Sequence, residues 1–284
     1  RDINLLRSWL QRDPNVLAVE TERHAELKKS NRELNEKPER RPQAMLFGRD
    51  NGILSIPQRN FTLLSAIAAA YLYRECVDYD GWLAELELHV TYPEDPEIWR
   101  GILIFRSHEL MWADSVRVGE LIEKIWRKFP GAFEDAAVAR PLWHLRSRIS
   151  ISLQQEIVTF WLRHSDNFLR QIGGEFCAAS VIVNNATSGE MFELVEGVMA
   201  GSDIFARCGV LFTAAAGWNE PSQVVRNRSH DYVIAAASIV RGFEAHALST
   251  VVDLGERMPP DEMTRSLLTC VVGNGELLKG FMGP

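Results

Sequence analysis

A chain of 284 residues with 46% apolar and 24% charged side chains has material for one large core or two smaller ones, and is too apolar to stay disordered. Its net charge of −7, from 38 acids against 31 bases, argues against a protein that grips nucleic-acid phosphate over its whole surface. No apolar run approaches the roughly 18–20 residues of a membrane span, and the four cysteines lie far apart with no CxxC pair, so a cytoplasmic protein with no membrane attachment is expected.

Residues 3–12 carry a short amphipathic pattern closed by Asp13-Pro14. The stretch from Glu20 to Arg41 mixes acids and bases almost evenly and ends in Pro38 and Pro42, which predicts an exposed helix and a linker. The first region is therefore read as 1–45, a charged N-terminal helical segment, and the second as 46–284, a helical solenoid-like domain. The first residue is Arg, with no apolar segment after it, so the chain is expected to be a piece of a longer polypeptide.

From Pro57 onward the helices come in regular order. Pro57 opens one running to about Asp78. Asp95-Pro96 supplies an N-cap and a first-turn proline before Ile98, Trp99, Ile102 and Leu103. Asp114 caps the next, whose Val118, Leu121, Ile122, Ile125 and Phe129 fall at helical spacing until Pro130-Gly131 stops it. Pro141 opens a long helix with Leu142, Leu145, Ile149, Leu153, Ile157 and Phe160 on one face. Thr187 to Glu190 form a capping box, followed by Met191, Leu194, Val195 and Val198, and Gly201 ends that helix. Further helices are predicted over 203–216, 230–247 and from Asp261 through Val271, with 273–284 as a loose end. Ser180–Asn184 and Thr250-Val251-Val252 are rich in β-branched residues but lack hairpin turns, so the class is all-α.

A period of about 44 residues runs through this order. Trp82 and Trp126, and Trp99 and Trp143, are separated by that interval, and Pro96 and Pro141 precede the second pair. One hairpin cannot bury its apolar face alone, so antiparallel hairpins of this length are expected to stack. With helix openings of the type Asp95-Pro96-x-x-Trp99 and Pro141-x-Trp143, residues 57–248 resemble HEAT-like α-solenoids, as found in the C-terminal sensor regions of large bacterial STAND-type ATPases. No GxxxxGK[ST] occurs in the chain, so the nucleotide-binding part is not in it. The resemblance implies a short α-solenoid that acts without catalysis or cofactor, as a protein-interaction, sensor or scaffold segment. Its partner would be another protein or other domains of the same polypeptide. Trp112, Trp143, His144, Arg146 and Arg148 are the candidate anchors.

Three constellations carry alternative chemistry. On an EF-hand loop, Asp78, Asp80, Gly81 and Glu87 fall in register, but the first position is Cys76, a poor Ca²⁺ ligand. His230-Asp231 resembles the core of HD-type metal phosphohydrolases, with His164 and Asp253 as the remaining ligands of a water-activating metal, although Tyr232-Val233 replaces the usual small residues. Trp112-Ala-Asp114 at a helix start resembles the Trp and Asp of HEAT-like DNA glycosylases. Lys124, Arg127, Lys128, Arg140, Arg146, Arg148, Arg163 and Arg170 are dense enough for a basic strip. The acidic total and the ordinary capping role of Asp114 favour a solvated face over a nucleic-acid channel.

Overall fold

The computed structural model describes residues 3–13, 15–20, 22–23, 26, 44, 46, 59–73, 77–183, 189–218, 220–249 and 262–282. Among them every regular element is a helix, and none is long and apolar enough to cross a membrane. The chain groups into two units, Arg1–Arg40 with Gly52–Gln154 and Arg41–Asn51 with Gln155–Pro284.

The first unit holds α1 (Ile3–Ser8), α2 (Arg59–Tyr71), α3 (Tyr79–His89), α4 (Pro96–Arg106), α5 (Ser115–Lys128) and α6 (Ala139–Leu145). Four 3-10 turns link the later ones, at Ser107–Trp112, Pro130–Phe133, Ala136–Val138 and Arg146–Arg148. Aspartates start the helices as the sequence predicts. Asp95 accepts from the amide of Glu97 at 2.9 Å, and Asp114 from Val116 and Arg117 at 3.1 and 2.9 Å, satisfying first-turn amides that have no partner within the helix. The stripe of α5 buries Val118, Leu121, Ile122 and Ile125, each contributing about 1.5–3 kcal/mol of apolar transfer. Beyond neighbours in sequence, helices pack on the second one along: α2 on α4, α4 on α6, α3 on α5.

Residues 1–40 group with this first unit. The reason is a buried polar seam. Arg7 Nε donates to Glu85 Oε2 at 2.9 Å while its Nη2 reaches Tyr71 Oη at 3.1 Å. Asn60 accepts the amide of Gln11 at 2.8 Å and donates to its carbonyl at 3.0 Å and to the buried Glu94 at 3.0 Å. Glu94 also faces His89 Nε2 at 3.2 Å and Arg12 Nη1 at 3.6 Å. Pairing by side chains distant in sequence leaves no local pattern, which is why a charged-segment reading misses it.

The helix predicted to run on from Pro141 is broken. Pro141 lies inside α6, the chain tightens into the turn Arg146–Arg148, and α7 (Ile151–Arg163) begins afresh. Gln154 Nε2 donates to the carbonyls of Arg146 and Ile149, both at 2.9 Å, and so supports the break. Gly119 of α5 lies against it: a Cβ there would come within 2.3 Å of the Arg148 carbonyl oxygen.

The second unit continues with α8 (Asn167–Ile182), α9 (Gly189–Ala200), α10 (Ile204–Trp218), α11 (Gln223–Ala237), α12 (Gly242–Ser249), α13 (Glu262–Gly273) and α14 (Gly275–Met282). Ser180 to Ile182, considered as strand, lie in α8. The helix predicted over 230–247 is two, divided by Gly242 at φ +49°, a left-handed conformation glycine adopts without cost from a side chain. The predicted loose end is α14, held at its start by Asn274. Thr187, Thr250–Val252 and Asp261 lie outside the described residues. Packing again joins alternate helices: α8 with α10, α10 with α12, α12 with α14, and α11 with α13.

Candidate functional site

Most of the charged side chains singled out in the sequence are engaged in holding helices. Asp78 caps α3, its Oδ1 accepting the Gly81 amide at 2.7 Å. Asp80 Oδ1 accepts the amide of Asp114 at 2.9 Å, and Glu87 takes Arg117 Nε and Nη2 at 3.2 and 2.7 Å. The three acids of the EF-hand register thus face three different tasks, and Cys76 lies outside the described residues. His230 stacks on Trp218 with ring centroids 5.8 Å apart, and its Nδ1 lies 3.2 Å from Asp231 Oδ1. The Asp231 side chain is 87% exposed. His164 Nδ1 accepts the amide of Asp166 at 3.0 Å, a turn role, and Asp253 lies outside the described residues. Next to the His-Asp pair, the Tyr232 hydroxyl is pushed up to about 12 by burial, with Glu196 adding to it. Among the described residues no three His, Cys, Asp or Glu side chains come together as a metal would require.

The bases of the supposed strip divide in the same way. Lys128 Nζ donates to the carbonyls of Val90, Thr91 and Tyr92 at 2.9, 2.6 and 3.0 Å, closing the end of α3 with a cation where the helix dipole is negative. Arg170 pairs with Asp203 and donates to the carbonyls of His164 and Ser165. Lys124 and Arg127 lie one turn from Glu120 and Glu123 on the exposed face of α5. Such pairs are worth little in water.

The candidate anchors fare unequally. Trp143 is 6% exposed, so it serves the core of the first unit, and the Arg146 guanidinium lies over its ring at 4.2 Å. Arg148 sends Nη1 to the Ala113 carbonyl at 3.0 Å and Nη2 to the Met111 carbonyl. It thereby clamps the turn after α6 to the turn before α5. That clamp holds Trp112 between two fixed carbonyls while its indole is 71% exposed. Tyr79 lies beside it at a ring distance of 6.5 Å, and Val116, 68% exposed, opens α5 two residues after the Asp114 cap. The sequence marked Trp112 but not Tyr79 or Val116. An apolar residue in the first turn of a capped helix, off its buried stripe, was the signal available. His144 is largely exposed, and partial desolvation of its ring, followed by the charges of Arg140 and Arg146, holds the imidazole below the usual histidine range.

Two of the described thiols are poorly placed for nucleophilic use. Cys177 and Cys208 are buried and pushed up to about 12, in both chiefly by burial. In native protein at about pH 8, a thiol reagent such as Ellman's is expected to leave both unmodified and to reach them only after denaturation. Mass mapping of labelled peptides reads this directly, and rapid native labelling of either would show an activated, accessible thiolate instead.

Comparison with protein-family models, with curated proteins and with solved structures finds no match to this chain.

Proposed function

We propose that this chain is a partner-binding segment of a larger, cytoplasmic, multidomain bacterial protein, a sensor or scaffold without catalysis, built as a short HEAT-like α-solenoid. The alternate-helix packing within each unit supports the stacked-hairpin reading, because a solenoid buries its core by setting each hairpin against the next. The recruitment of Asp78, Asp80, Glu87, Lys128 and Arg148 into caps and clamps supports a framework role for side chains that otherwise suggest chemistry.

The observation that carries the proposal is the Trp112 surface. A large indole left in water beside Tyr79, with Val116 exposed at the head of the next helix, costs apolar hydration that folding has not relieved. It is held by a cap, an inter-helix hydrogen bond and an arginine clamp, and such rigidity reduces the entropy lost on binding. A photo-crosslinking amino acid placed at Trp112 in the parent protein is expected to give one discrete adduct, either to a second polypeptide or to another domain. Val116→Asp should abolish it, whereas a crosslinker at exposed Ala84 of α3 should give none. Adducts that are diffuse, or equal at both positions, would remove the interaction reading.

A further inference from the structure

We infer that Arg170 and Arg207 are equivalent residues of one hairpin that occurs twice in the second unit at an interval of 37 residues, and that each locks the joint between its own copy and the next. This deepens the stacked-hairpin reading of the second unit, on which it rests, and is independent of the Trp112 surface.

Backbone and side chains keep the interval together. Asp166 accepts the amide of Phe168 at 2.7 Å, and Asp203, 37 residues on, accepts that of Phe205 at 3.0 Å. Four residues after each cap comes an arginine whose amide donates to the carbonyl of the cap, at 3.1 Å in both copies. Each arginine sends Nη1 back six residues, Arg170 to the His164 carbonyl at 2.9 Å and Arg207 to the Gly201 carbonyl at 3.3 Å. Each sets Nε against an acid at the start of the next alternate helix. Arg170 Nε lies 2.5 Å from Asp203 Oδ2, and Arg207 Nε lies 2.6 Å from Glu244 Oε1. α8 packs on α10 and α10 on α12, so the two pairs follow one another along one row of helices. An arginine that happened to lie near an acid would account for one pair. It does not account for a cap, a bond back and a pair forward in the same order at the same interval. The tryptophans spaced by 44 do not share such a period. α3 and α5 start 36 residues apart, at Tyr79 and Ser115, so Trp82 is fourth in its helix and Trp126 twelfth.

The geometry gives the arginine its task. A hairpin in a stack touches only its neighbours, so the angle between copies is set at the turns that join them. The carbonyls at the end of a helix have no partner within it. A guanidinium carries donors on separate edges of one rigid plane. One edge closes the turn behind the arginine while the other holds the start of the next alternate helix, so turn and helix move as one body. The third copy keeps the aromatic and changes the lock. Phe243 follows Phe205 by 38 residues, with ring centroids 6.1 Å apart, but Ala245 stands in the place of the arginine. There the Gly242 amide donates to Glu276 Oε2 at 2.7 Å, and Asn274 Nδ2 reaches back to the Val240 carbonyl at 3.1 Å.

The test is amide hydrogen exchange of the full chain, read by mass spectrometry. Arg207→Met keeps the apolar stem. It should speed exchange about tenfold in the first two turns of α10 and of α12, as loss of a charged hydrogen bond predicts, and leave α8 as it is. Arg170→Met should act one copy earlier, on the starts of α8 and α10, and spare α12. Asp203→Asn keeps the cap, since an amide oxygen accepts the same backbone bonds, and removes the charge facing Arg170. It should speed exchange at the start of α8, across the joint, with the melting temperature within a few degrees of the parent. Arg163→Met, at an exposed base of α7, should change none of these segments. Acceleration confined to the helix that carries the substitution, or an unchanged α8 in Asp203→Asn, would overturn the proposal and leave each arginine as a closure of its own turn. These rates are read without a partner, so a missing crosslink at Trp112 would not alter them.

Discussion

Gly209→Ala is expected to destabilise the second unit by about 3 kcal/mol, the upper end of what overpacking a core usually costs. The residue lies where α10 crosses α8. A Cβ there would fall 2.1 Å from the carbonyl oxygen of Gln171 and 2.8 Å from the amide nitrogen of Glu175. Both contacts are backbone, so no side chain can swing away and the helices must separate. The reciprocal position behaves alike, since a Cβ on Gly174 would meet the Ala206 carbonyl oxygen at 2.1 Å. Separating the pair would also stretch the 3.2 Å hydrogen bond from Thr213 Oγ1 to the Glu175 carbonyl. Gly197 of α9 is the internal control. Nothing lies within 4 Å of a Cβ there, so Gly197→Ala should gain about 0.5–1 kcal/mol from helix propensity alone. Urea unfolding followed by circular dichroism reads both. Because the first alanine already parts the helices, Gly174→Ala combined with Gly209→Ala should cost less than the sum of the two. A Gly209→Ala protein as stable as the parent would show that α8 and α10 do not approach this closely.

Asn274→Ala should be nearly as damaging, at about 3 kcal/mol, because it orphans several buried backbone groups at once. The Asn274 amide donates to the Ala237 carbonyl at 3.0 Å and the Val240 carbonyl at 3.1 Å, at the end of α11. Its oxygen accepts the amides of Glu276 and Leu277 at 3.2 and 3.3 Å, at the start of α14, and Arg241 Nη1 at 3.3 Å. One side chain thus closes the C-terminus of one helix and the N-terminus of another. Gly242, whose amide donates to Glu276 Oε2 at 2.7 Å, makes a second tie between the same segments. Asn274→Asp keeps the accepting half, loses the donors and sets a carboxylate against two carbonyls, so it should not restore stability. Hydrogen exchange of the α12 and α14 amides should rise in both variants, beside a fall in melting temperature of about 10 °C. A loss below about 1 kcal/mol in Asn274→Ala would mean that water takes over these bonds and that Asn274 is not the tie.

Helix identity was largely legible along the chain. Asp95 and Asp114 cap where an acid followed by a helical apolar stripe predicts, and Val118, Leu121, Ile122 and Ile125 are buried as their spacing requires. The crossing of α8 and α10 left a trace that went unread: Gln171, Gly174, Glu175 and Ala178 repeat at the same intervals as Ala206, Gly209, Val210 and Thr213. The small residues among them, Gly174, Ala178, Ala206, Gly209 and Thr213, mark a close helix contact, but only when it is known which helix comes to meet them. The anchors were legible in part. Trp112 ends the turn Ser107–Trp112 and is in water, whereas Trp143 lies inside α6 under Arg146, a difference that residue type does not show.

The helical class of the described residues, several helix starts and the apolar stripes that face inward could be read along the chain, because caps and 3.6-residue periodicity act within a few neighbouring residues. Only the tertiary structure decided the break after α6, the joining of residues 3–12 to the first unit, the closure of α14 by Asn274, and the fate of each charged side chain. The break after α6 is supported by Gln154 from within eight residues, and the other outcomes rest largely on hydrogen bonds and ion pairs between positions some 30 to 80 residues apart, such as Lys128 with Val90 or Arg7 with Glu85. A charge in a sequence carries no mark of the distant carbonyl or carboxylate that folding will bring to it.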